Sequence, residues 1–179
     1  MTERTRSVTL ETMIGRILKE HNYTIACAES CTGGLLTSRL TDVPGSSAYV
    51  KSSIVSYTNE VKINLLKVKP ETIEEFEVTS KEVAMEMAEG VRDLMGSDLG
   101  VGTTGIAGPT GSTEKSPVGF VYIALAGPHG NVVEEHHLIG GRWEVKWQTT
   151  EAALMMIRKY LLDRCTENNQ DVNWEANND

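Results

Sequence analysis

Long apolar runs are missing from this 179-residue chain. A membrane-spanning helix needs about 20 consecutive apolar residues, so no span is expected. The opening MTERTRSV also lacks the apolar core of a signal peptide. Basic charge is in short supply as well: 17 Lys and Arg stand against 25 Asp and Glu, for a net charge of -8. A general nucleic-acid or membrane-surface binder needs a basic face, so both classes are excluded, while a local basic pocket stays open. The three cysteines are an odd number without metal-type spacing. That usage points to a reducing, cytoplasmic setting. Repeats and long linkers are absent too. What remains, 40% hydrophobic and 23% charged residues, is the composition of an ordinary globular chain of one domain. We place that domain at residues 1–165 and read 166–179 as a polar, flexible tail.

The pattern alternates strands and helices. Leu10, Met13, Ile14, Ile17 and Leu18 recur at helical spacing. YTIACA (23–28) reads as a strand running into a glycine-opened helix, GGLLTSRL. SSIVSYT (52–58) is a second strand, followed by the helix NEVKINLLKV with Asn59 as its cap. Thr79 and Glu82 match a capping box ahead of a helix that stops at Gly96. DLGVGTT (98–104) is a buried strand and GIAGPTGSTEKSPVG a glycine-rich loop. FVYIALAG and VVEEHHLI form a hairpin around PHGN, and a final helix runs from Trp143 to about Cys165. The sum is an α/β fold: a three-layer α/β/α sandwich with a mostly parallel sheet and one antiparallel hairpin.

In open α/β sheets, ligands bind beyond the carboxyl ends of the strands. Three segments rich in reactive side chains fall there: Glu29–Gly34, Tyr57–Lys62 and Thr103–Gly119. In the first, Ser30 lies at a helix start whose free amides favour negative charge; the alternative is a plain turn with an N-cap. A serine nucleophile needs a base, and these segments hold no histidine. Lys62 suits that role, because a first-turn position and burial both disfavour its charged form. His136 and His137 are neighbours on a strand and point to opposite faces, so no metal site is expected from them. Cys31 is chemically able, but two adjacent side chains cannot both enter one pocket. TTGIAGPTG matches neither a P-loop nor a dinucleotide fingerprint, yet its hydroxyls and glycine amides suit a phosphate. Arg142, after a strand end, could clamp the same group.

AESCTGG, LTDVPGSSAYV, SYTNEVK, TTGIAGPTG with PVG just after, and GGRWEVK together resemble, in order, the CinA C-terminal domain family, from about Leu10 to Leu162. The resemblance implies an α/β/α sandwich, a homodimer, and in stand-alone members the hydrolysis of nicotinamide mononucleotide to nicotinate mononucleotide and ammonia. It implies no metal and no cofactor. It places the nucleophile at Ser30 with Lys62 and Tyr57 as catalytic partners. Substrate contacts are expected from Glu29, Thr32, Gly33, Gly34, Thr104, Gly105 and Arg142. The partner expected is a small phosphorylated nucleotide, with no nucleic acid and no membrane. Several peripheral positions depart from the family pattern. Ser52 and Ser53 replace paired glycines, and Val50 an aromatic. Glu77–Ser80 replaces Gly-Ala-Val-Ser, Ser116 a lysine, Gly141 an aspartate and Lys146 an arginine. The alternative expectation is therefore a nucleotide-binding regulatory module that keeps the pocket without turnover.

Overall fold

Small residues decide how the layers of this protein meet. The computed structural model describes residues 9–165; the tail proposed from residue 166 and the opening MTERTRSV lie outside them. Five strands, β1 (Ile25–Glu29), β2 (Val50–Val55), β3 (Leu99–Gly105), β4 (Phe120–Gly127) and β5 (Gly130–His137), form one sheet in the order β2-β1-β3-β4-β5. Strands β1, β2 and β3 run parallel, and β4 is antiparallel to both of its neighbours. Strand β4 is thus the one reversed strand of the sheet, antiparallel to β3 as well as to its hairpin partner β5.

Alternation along the strands sends two kinds of side chain to the two faces. Ile25, Cys27, Leu99, Val101, Val121, Ile123 and Leu125 face helices α1 (Leu10–Glu20), α2 (Leu35–Thr41) and α6 (Arg142–Cys165), forming the main core with Ile14, Leu36, Leu154 and Ile157. The other face carries Ala26, Ala28, Ala124 and Ala126, with Gly100 and Gly102 on β3. Helix α5 (Lys81–Met95) lies against it through Val83, Ala84, Met87, Ala88 and Val91. A Cβ on Gly100 would come within 2.0 Å of the Ala88 carbonyl oxygen, and one on Gly102 within 2.4 Å of that of Ala84. Alanine at either position would push α5 off the sheet, so DLGVGTT owes its glycines to this close approach.

Local signals explain most boundaries. Thr9 caps α1 by accepting a hydrogen bond from the Thr12 amide, and Gly96 ends α5 in the left-handed conformation. Three expectations need correcting. Helix α3 (Asn59–Asn64) is capped by Thr58, not Asn59, and it stops before LLKV. There the chain turns through Lys67 at φ 59°, and the Val68 amide returns to the Lys62 carbonyl at 3.1 Å. The capping box at Thr79 does not form: Ser80 caps α5 by accepting from the Val83 amide. Strand β2 begins at Val50 and ends at Val55, leaving Ser56–Thr58 as the loop that feeds α3. An additional short helix, α4 (Pro70–Phe76), opens on Pro70, where a missing N–H costs nothing. No helix among the described residues is long and apolar enough to cross a membrane.

Candidate active site

Strands β1 and β3 end side by side, and a cavity of about 190 Å³ opens beyond them. Its walls include Ser30, Tyr57, Asn59, Lys62, Thr79 and Arg142, with Thr104 and Gly105 at the end of β3. The three segments singled out in the sequence therefore converge. Ser30 leaves β1 with its amide still held by the Thr103 carbonyl, 3.0 Å away, so its position is tied to the sheet.

Lys62 is 1% exposed, with its Nζ 2.6 Å from the Ser56 carbonyl and 3.1 Å from Ser30 Oγ. Among the described residues no carboxylate forms an ion pair with it. Burial without a compensating anion lowers its pKa from 10.5 to about 8. The helix-end field invoked from sequence is not needed: α3 has six residues, and desolvation is the leading cause. Cys31, the rival nucleophile, lines the same cavity as Ser30, so the positional argument against it fails; burial instead pushes its thiol up to about 12.

Glu29 and Thr32 lie beneath the cavity rather than on it. Both are fully buried. One oxygen of Glu29 accepts from the Gly34 and Leu36 amides and the Thr32 hydroxyl; the other accepts from the Thr37 amide and hydroxyl and from Ser53. Thr32 gives its proton to Glu29, so Thr103 is the donor in the 3.0 Å contact between the two threonines. This network holds the turn that carries Ser30 against the start of α2. It also takes the first amides of that helix, which the sequence reading had left free for an anion. Gly33 and Gly34 take left-handed φ values of 61° and 95° in the turn and do not line the cavity; Lys146 Nζ sits beside Gly33.

Across the cavity, the guanidinium of Arg142 donates to the Gly108 carbonyl at 2.8 Å and to the Tyr57 hydroxyl at 2.7 Å. It has no acidic partner among the described residues. Tyr57 is 60% exposed and bonds to Arg142, not to Ser30 or Lys62, so the structure joins it to the cationic wall. Thr104 is buried, and its hydroxyl donates to the Val78 carbonyl at 2.8 Å. Of the glycine-rich loop, only its start, Gly105 to Ala107, reaches the cavity. Thr113 and Lys115 instead approach Glu77, at 3.1 and 3.8 Å. Sequence reasoning missed Asn59 and Thr79 as lining residues, having taken both for helix caps. His136 and His137 pair separately with Glu134 and Glu135, and no group of three or more metal-ligating side chains occurs among the described residues.

A serine hydroxyl against a buried, uncompensated lysine, at the C-terminal edge of a mostly parallel sheet, is the arrangement of a Ser–Lys site in an α/β protein. The sequence profile of the CinA C-terminal domain matches residues 7–161, and the chain belongs to that family. It is 49% identical over 153 residues to a CinA-like protein of Sulfurihydrogenibium sp., an alignment that covers 86% of this chain and 38% of that protein. The chain thus spans a little over a third of the length of the curated relatives it matches. Solved structures share the fold, two of them as follows. Competence/damage inducible protein CihA from Agrobacterium tumefaciens is 36% identical with a TM-score of 0.79, over 85% of this chain and 94% of that one. A CinA superfamily protein from Klebsiella pneumoniae is 28% identical with a TM-score of 0.83, over 86% and 96%.

Proposed function

We propose that this protein is an amidohydrolase that converts nicotinamide mononucleotide to nicotinate mononucleotide and ammonia. The observation that carries the reading is the Lys62 Nζ–Ser30 Oγ contact of 3.1 Å in a cavity whose other wall is an Arg142 guanidinium without a carboxylate. One end offers a nucleophile and base for a carboxamide, and the other a cation for a phosphate. Among molecules carrying both groups, the resemblance of AESCTGG and TTGIAGPTG to the deamidase members of the family supports nicotinamide mononucleotide as the substrate.

Chemistry then follows from the pair. Neutral Lys62 takes the Ser30 proton as Oγ bonds to the carboxamide carbon, leaving a tetrahedral oxyanion and a lysine ammonium. The ammonium protonates the departing nitrogen, ammonia leaves, and an acyl group remains on Ser30. Water attacks that ester, Lys62 removes one of its protons, and collapse returns that proton to Ser30 and frees the acid, which gives its remaining proton to solvent or to the released ammonia as it becomes the carboxylate. The amides of Gly34, Leu36 and Thr37 are engaged by Glu29. These amides are therefore not the ones that hold the oxyanion.

The test is ammonia release from nicotinamide mononucleotide, run beside thermal stabilisation by the same compound. The parent should show both, and Ser30→Ala only stabilisation. A parent that is stabilised without releasing ammonia would instead be a nucleotide-binding module.

A further inference from the structure

One polar group on the cavity wall has no task in that mechanism. Thr79 is 5% exposed, lines the cavity beside Val78 and Thr104, and its hydroxyl oxygen is buried with no hydrogen-bond partner. It is not the helix cap, a role filled by Ser80. Buried hydroxyls almost always find a partner, and one that does not destabilises the chain that carries it. Rotation about χ1 exchanges the hydroxyl and methyl of a threonine, so a ligand in the cavity can capture the proton that the empty wall leaves unused.

We infer that Thr79 is a specificity-determining residue that hydrogen-bonds a ribose hydroxyl of the bound nucleotide. This rests on the deamidase reading above. Ser30 and Lys62 take the carboxamide at one wall and Arg142 the phosphate at another; the ribose links the two groups. Thr104 gives its own proton to Val78 and can only accept from a ligand. Thr79 has a proton to give. A pair of vicinal hydroxyls both donates and accepts, which matches these two threonines together and distinguishes a ribose from its deoxy forms.

The experiment compares the parent, Thr79→Val and Thr79→Ser for kcat and KM, for calorimetric Kd of nicotinamide mononucleotide and its 2′-deoxy and 3′-deoxy analogues, and for ligand-free Tm. Valine should weaken binding of the ribonucleotide by about three- to tenfold, through KM with kcat retained. Serine should restore it. One deoxy analogue should bind the parent and Thr79→Val alike, and ligand-free Thr79→Val should melt no lower than the parent. Equal Kd values for the ribonucleotide in parent and Thr79→Val would overturn the inference. So would an equal loss on all three ligands with a lowered Tm, which marks a packing role. If the parent binds the nucleotide but releases no ammonia, the deamidase reading fails and the Kd series still decides Thr79. If the parent neither binds nor hydrolyses it, both fail.

Discussion

Lys62 and Cys31 share one environment, and burial pushes each toward its neutral form. For an amine the neutral form is the base; for a thiol it is the inert one. The same desolvation favours the base form of Lys62 and disfavours the thiolate of Cys31, which supports Ser30 over its neighbour as the proposed nucleophile. Ser30→Ala should lower turnover by roughly a thousandfold or more while the fold persists. Cys31→Ser should keep activity within a few-fold, the small change in side chain costing some packing. Ammonia release from the two purified variants checks this, and the reverse ranking would transfer the nucleophile to Cys31. In the proposed reaction Arg142 acts differently. A phosphate clamp binds ground and transition states alike, so Arg142→Ala should raise KM by about tenfold to a hundredfold with kcat nearly constant. A collapse of kcat at constant KM would place Arg142 in the chemical step.

At the scale of elements, the β1–α2 junction is the part on which Ser30 depends. Glu29 binds the turn and the first amides of α2 and reaches Ser53 on β2, so three elements meet on one carboxylate. Glu29→Gln turns one acceptor oxygen into an NH₂ facing other donors. It should lower stability by about 1–3 kcal/mol and reduce kcat more than it raises KM, as read by thermal unfolding and steady-state kinetics together. An unchanged kcat would show that Ser30 holds its place without this anchor. Much of the site was legible in sequence because reactive residues clustered after strand-like runs: Ser30, Lys62, Thr104 and Arg142 all reach the cavity. The inside of the network was not. Glu29 and Thr32 read as substrate contacts, since nothing local shows that a carboxylate five to eight residues upstream caps a helix. Thr79 read as a cap because Ser80, one position on, offers the same chemistry. Helix α4 escaped notice because PETIEEF is short, with only Thr72 buried.

At the scale of the whole molecule, the buried base has a thermodynamic consequence. Lys62 titrates at about 8 when folded and near 10.5 when unfolded. Between those values the unfolded chain holds a proton that the folded chain has lost, so this residue makes stability rise with pH across that window. Below about pH 8 the cost of burying the cation is present in full. Lys62→Met should therefore be inactive yet melt higher than the parent at neutral pH, with the advantage shrinking toward about pH 10. A constant difference in Tm across that range would show that Lys62 is not depressed. The fold supports the account in the same terms: the small-residue face brings α5 against the sheet, and parallel strands end together where α3, α6 and the β1–α2 turn deliver their polar groups. The most direct measurement is kcat for ammonia release from nicotinamide mononucleotide against pH, for the parent and Lys62→Arg. Arginine keeps the charge and cannot give up its proton. The parent rate should climb through an inflection near about 8 and then level, and Lys62→Arg should lose the limb and roughly a thousandfold in rate. Substantial turnover by Lys62→Arg along the same pH limb would contradict Lys62 as the base.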